Sequence, residues 1–143
     1  PTPDDIYVPL ILDLIEVYYL MIKSKIQVYK NKKKLGGKDM LKICKTHYYN
    51  FDKKFQVYNN FREIGYIVNP GIKFGCDFAV YQKGPGIDHA PFLVQVYNRN
   101  ENISSTDVVL AGRLATSVKK QFVLAIPYNN DRIDYIALDW WKA

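Results

Sequence analysis

The sequence predicts a mixed α/β (α+β) fold: a small N-terminal helix-and-strand domain, residues 1–51, followed by a C-terminal mixed-sheet domain, residues 52–143, with a helix packed on its sheet. Three observations predict it. Apolar residues recur at helical spacing in residues 10–22 and again in an aromatic stripe that starts at Phe51. Short β-rich runs bounded by glycine, proline and asparagine turns fill residues 66–97. From about residue 90 to 126 the order is strand, helix, strand, the pattern of a sheet with a crossover helix. With 48% hydrophobic and 15% aromatic residues, the 143-residue chain has the makings of a core and is not a disordered tail.

The elements follow in order. Leu10, Leu14, Ile15, Tyr18, Tyr19 and Ile22 share one helical face, and residues 26–29 read as a strand. Residues 30–34, four of them lysine, lead with Gly36 and Gly37 into a second short helix at 39–45; they read as a charged, flexible connector. Phe51, Phe55, Tyr58 and Phe61 predict a helix packed inward, ending before Gly65, where glycine accepts a left-handed cap. Asn69-Pro70-Gly71-Ile72 has proline second and glycine third, the type II preference, which predicts that residues 66–68 fold back on 72–74. A strand at 76–81 puts Cys76, Phe78 and Val80 on one face and Asp77, Ala79 and Tyr81 on the other. Gly84-Pro85-Gly86 turns the chain into a strand at 90–97. Ser104, with Asp107 three positions on, predicts the N-cap of a helix that continues to about Val118 and buries Val108, Ala111, Ala115 and Val118. Residues 121–126 read as a buried strand, and 133–138 as a last strand after a turn at Asn129-Asn130-Asp131.

Charge and cysteine content narrow the function. Twenty Lys and Arg against fourteen Asp and Glu leave +6, which favours a polyanion, RNA or DNA ahead of an anionic membrane. The charge of residues 30–34 suits a solvated loop or an RNA contact, and both readings stand. Cys44 and Cys76, with no CxxC and two histidines in the chain, argue against a zinc site or a disulfide framework and for reduced thiols. The most apolar stretch, residues 7–22, carries Asp13 and Glu16 and is too short to span a bilayer; with no basic segment before it, it does not read as a secretory signal.

Three residues at the ends of predicted elements draw attention, because such positions are exposed yet held by a rigid frame. Tyr81 ends one strand, His89 precedes the next, and Lys120 follows the helix that packs on them. Residues seven apart on a helix differ by about 20° of rotation, so Arg113 and Lys120 share a direction if the helix reaches that far, whereas Lys119 projects toward the apolar stripe. A tyrosine, a histidine and a lysine around one phosphodiester suffice for metal-free RNA cleavage, because the adjacent 2′-hydroxyl is already the nucleophile. A phenol is a poor base at neutral pH without a nearby cation, and Lys120 is the candidate for one.

The blocks Tyr58-Asn59-Asn60-Phe61-Arg62-Glu63-Ile64-Gly65-Tyr66-Ile67-Val68, Pro70-Gly71-Ile72-Lys73-Phe74-Gly75, Asp77-Phe78-Ala79-Val80-Tyr81, His89-Ala90, Arg113-Leu114-Ala115 and Lys119-Lys120 resemble the catalytic domain of tRNA-splicing (tRNA-intron) endonucleases. The resemblance runs from about Phe51 to Trp140; before that only the helix and strand pattern is similar. It implies a nuclease domain in which Tyr81 is the general base, His89 protonates the departing 5′-oxygen, Lys120 steadies the transition state and Arg113 stacks on a splayed base of the RNA. An exchange of roles between Tyr81 and His89 stays open. It further implies precursor tRNA as substrate, no cofactor or metal, no membrane, and a tetramer of identical chains or of catalytic and structural subunits, in the archaeal cytoplasm or a eukaryotic nucleus. In the family an acidic loop of one subunit docks in a basic cleft of another; the matching turn here holds Asp131 and Asp134 with Arg132 between them, a departure from strong acidity. Two alternatives remain: a catalytically silent structural or RNA-binding subunit, and a metal-dependent DNA nuclease on a similar mixed sheet, for which Asp77 and Asp88 are the carboxylates.

Overall fold

The computed structural model describes residues 9–84, 86–87 and 92–139. The chain divides into two compact units, Pro1–Tyr49 and Asn50–Ala143. Among the described residues no helix is long and apolar enough to cross a membrane.

The N-terminal unit pairs two helices, α1 (Leu14–Ile22) and α2 (Gly37–His47), with a two-stranded ribbon between them, β1 (Tyr29–Lys30) and β2 (Lys33–Lys34). Helix α1 starts where Asp13 caps it, its carboxylate accepting from the Ile15 amide at 3.1 Å and from the Tyr48 hydroxyl. Ile15, Met40 and Cys44 are buried in this unit. The lysine run is not the flexible connector expected: Tyr29 faces Lys34 and Lys30 faces Lys33 across a two-residue turn. Asn31 and Lys32 both take positive φ, 50° and 64°, the requirement of a type I′ turn whose twist matches that of the strands. Asparagine tolerates that conformation; lysine pays about 1 kcal/mol for it.

The C-terminal unit is a five-stranded sheet, β3 (Ile67–Pro70), β4 (Phe78–Tyr81), β5 (Phe92–Val96), β6 (Gln121–Pro127) and β7 (Ile133–Leu138), ordered β3-β4-β5-β6-β7. All neighbours are antiparallel except β5 and β6, which run parallel through the crossover helix α4 (Ser105–Ser117). Helix α3 (Phe51–Ile64) opens the unit and packs on β3, β5 and β6 through Val57, Tyr58 and Phe61, with Tyr58 tilted against Phe78 at 5.9 Å. Under α4, Ala79, Leu93, Ala115, Phe122 and Leu124 form a second apolar layer. The strands between the two helices are buried on both faces, the ordinary condition of a strand in a helix-covered sheet.

Local signals set several boundaries as read: Gly65 caps α3 at φ 104°, and the Ser104 hydroxyl accepts from the Asp107 amide at 3.0 Å. Three expectations are corrected. The type II turn does not form, because Gly71 sits at φ −92°; a 3₁₀ turn, Ile72–Phe74, follows, and β3 pairs instead with β4. Cys76 does not share a face with Phe78 and Val80. It joins the layer under α4, while Asp77 turns to Lys54 of α3 at 3.1 Å, so the alternation slips one residue before β4 begins. Val108 does not belong to the buried stripe of α4, being 39% exposed; Leu114 packs in its stead beside Ala111, Ala115 and Val118.

Gly71 is fixed by crowding. A Cβ there would lie 2.6 Å from both the carbonyl oxygen and the Sγ of Cys76. We expect Gly71→Ala to cost about 1–3 kcal/mol of stability, read from urea denaturation; an unchanged midpoint would mean that the 3₁₀ turn yields freely.

Burial, aided by Asp13 beside Cys44 and Asp77 beside Cys76, pushes both thiols up to about 11. In the unfolded chain these groups release protons at lower pH than in the folded one, so the folded state holds more protons in the alkaline range. Stability should therefore be intact below about pH 8.5 and decline as pH rises from about 9 toward 11. Chemical denaturation across that range is the check, and a level or rising curve contradicts it.

Candidate functional site

The register of three strands defines one end of the sheet. Val80 of β4 pairs with Phe92 of β5, and Phe92 pairs with Gln121 of β6. Tyr81 is the next residue out on β4, and Lys120 the next residue out on β6. Both therefore stand at the same sheet end, two strands apart, a backbone separation of roughly 10 Å. They also share a face. Tyr81 packs against the layer under α4, which contains Phe122, and Lys120 lies two residues before Phe122.

How Lys120 reaches that position differs from the helical reading. Helix α4 ends at Ser117, so Lys120 is not on the helix and the shared direction with Arg113 does not apply. The Lys119 amide bonds the Thr116 carbonyl at 3.2 Å and the Lys120 amide bonds the Ala115 carbonyl at 2.8 Å, the paired bonds of a Schellman closure. Lys119 takes the left-handed position, φ 54°, usually glycine's. The closure turns Lys119 out to solvent and Lys120 back toward the sheet, so the two neighbours have different surroundings. The Lys120 ammonium lies 5.4 Å from the centroid of the Phe74 ring, and Phe74 itself packs on the layer under α4.

Sequence reasoning missed Phe74. It arrives through the 3₁₀ turn after β3, from a segment expected to be a strand, and only its place in the Lys73-Phe74-Gly75 block gave any signal. Arg113 is exposed on α4. His89 and Asp88 lie outside the described residues. A groove of about 560 Å³ runs beside α4 between Val108, Gly112 and Leu138, with Lys119 and Lys120 at its margin.

Asp77 does not serve this end of the sheet. Its carboxylate pairs with Lys54 and accepts the Val96 amide at 2.8 Å, locking the start of β4 to the far end of β5. Among the described residues no group of three or more His, Cys, Asp or Glu could hold a metal ion. At the turn between β6 and β7 one of the two acidic residues, Asp134, is held by its neighbours. Arg132 bonds Asp134 at 2.9 and 3.1 Å, and the Tyr128 hydroxyl donates to Asp134 at 2.8 Å. Those bonds, Tyr128's first, hold the Asp134 carboxyl below the usual carboxylate range. Arg99 and Arg132 both lie against the Tyr128 ring, at 5.4 and 5.1 Å. Arg99 and Arg132, gathered on the Tyr128 ring, thus offset Asp131 and Asp134, and the turn is not strongly acidic.

The chain has known relatives. A family model described as "tRNA intron endonuclease, catalytic C-terminal domain" matches residues 51–135. A curated protein of Sulfurisphaera tokodaii named tRNA-splicing endonuclease is 41% identical over 140 residues, covering 97% of this chain and 78% of its own. One of Pyrobaculum islandicum with the same name is 39% identical over 141 residues, covering 97% and 77%. Another of Sulfolobus acidocaldarius, also so named, is 37% identical over 142 residues, covering 99% and 78%.

Proposed function

The chain belongs to the tRNA intron endonuclease family, and on that premise we propose that it cuts precursor tRNA at intron–exon junctions of the bulge-helix-bulge type, as a catalytic rather than a silent subunit. The observation that carries this reading is the shared row: Tyr81 and Lys120 stand at one sheet end and on one face. The segment from Tyr81 to Phe92 spans that end and carries His89, which covalent geometry alone keeps within about 11 Å of Phe92.

In the reaction Tyr81, in its phenolate form, accepts the proton of the 2′-hydroxyl. The 2′-oxygen bonds to phosphorus, the bond to the 5′-oxygen breaks, and the His89 imidazolium gives that oxygen its proton. The products are a 2′,3′-cyclic phosphate and a 5′-hydroxyl, and no water or metal ion enters the step. Lys120 opposes the charge that develops on the phosphoryl oxygens, where a preorganised cation acts most strongly. Phe74 keeps the ammonium aimed by cation–π attraction. Arg113, exposed on α4, stacks its planar guanidinium on an unstacked bulge base. The active form is a tetramer, of identical chains or with a structural subunit. An edge strand supports this: β7 is six residues long and leaves Tyr135 and Ile136 39% and 46% exposed.

The decisive test uses the protein, with any partner chain it needs, on a bulged precursor tRNA in EDTA. Cleavage is expected, and a single 2′-deoxy substitution at the junction should stop it; continued cutting of the deoxy RNA would refute internal attack. His89→Ala should lower the single-turnover rate 10²–10⁴-fold with RNA affinity retained, whereas an equal loss of affinity would make His89 structural. Phe74→Leu should slow cleavage by roughly an order of magnitude, the equivalent of a 1–2 kcal/mol cation–π contact, and Phe74→Tyr should restore it. A Phe74→Leu enzyme as fast as its parent would mean that Lys120 is aimed by other means.

A further inference from the structure

We propose that the β1–β2 ribbon of the N-terminal unit is a second RNA contact, gripping the phosphate backbone of the substrate through residues that take no part in the cleavage chemistry; this rests on the functional reading above. Residues 9–49 hold nine lysines against three acidic residues. Four of the nine, Lys30, Lys32, Lys33 and Lys34, are concentrated in the ribbon and are all exposed. Among the described residues none of these four is held in an ion pair.

The ribbon carries this charge against its own stability. Lys30 and Lys33 are direct cross-strand partners, where like charges repel. Lys32 occupies a left-handed turn position, φ 64°, that glycine fills without strain. A two-stranded ribbon is marginal to begin with, so two unfavourable choices at its tip point to a demand from outside the fold. A polyanion meets it: phosphates relieve the repulsion, and each one neutralised releases counterions. Tyr29, paired with Lys34 and 59% exposed, adds an aromatic face on which an unstacked base can rest.

The experiment measures binding of an uncleavable, 2′-deoxy bulge-helix-bulge RNA over a range of salt, and single-turnover cleavage of its all-ribo counterpart. Lys→Gln at positions 30, 32, 33 and 34 together should weaken binding about tenfold at about 0.1 M salt and flatten the salt slope by two to four. The cleavage rate at saturating RNA should be unchanged, and Lys→Arg at the same positions should keep affinity. Lys32→Gly separates charge from fold: it should raise the melting temperature while lowering the slope by about one. A parent protein that cuts RNA, with a glutamine variant of equal affinity and slope, overturns this inference alone. A parent that neither binds nor cuts the RNA overturns both readings. Loss of binding to anionic phospholipid vesicles with RNA affinity intact would assign the ribbon to a membrane and overturn it as well.

Discussion

The parallel ladder between β5 and β6 governs the geometry of the C-terminal unit. Its register puts the first residues of both strands at one sheet end, and the antiparallel pairing of β4 with β5 brings the last residue of β4 to the same end. The last residue of an outgoing strand and the residue just before an incoming one thus stand at the same sheet end, two strands apart. A slip of one residue in either ladder would send Tyr81 or Lys120 to the face under α3. The burial of Leu93, Val94 and Ala125 on opposite faces of the two strands holds that register. The apolar packing that folds the sheet is therefore also what aligns the polar groups at its edge.

Much of this was legible where the determinant is local. The left-handed glycine after α3, the serine cap of α4 and the bounds of β7 are each set by a few neighbouring residues, and all were read correctly. What could not be read depends on contacts distant in sequence. Gly71 has no room for a Cβ because Cys76 lies against it, which no turn preference encodes. The phase slip at Asp77 goes with its bonds to Lys54 and to the Val96 amide, both distant in sequence. Two-residue strands such as β1 and β2 carry no period, and a lysine at a turn position typical of glycine gives the opposite signal to the one that would have marked a hairpin.

Near the site, strand phase was enough to put Tyr81 on the face opposite Phe78, but not enough to find the ring beneath Lys120. At the end of α4, read correctly as about Val118, Lys119 takes the left-handed position usual for glycine, so the closure that turns the chain back left no mark in the sequence. Left-handed lysines thus occur both at the ribbon turn and at the helix closure. At each, side-chain charge stands where backbone comfort alone would choose otherwise.

The Schellman closure has one more consequence. Because both amides after α4 are bonded back into its last turn, helix passes into strand with no slack between them. Lys120 begins each encounter with its main chain already immobilised, so only the torsions of its side chain remain to be quenched when an anion arrives. The ordering entropy is largely spent during folding, which, in the reaction proposed above, leaves more of the attraction for that anion to be expressed in the barrier.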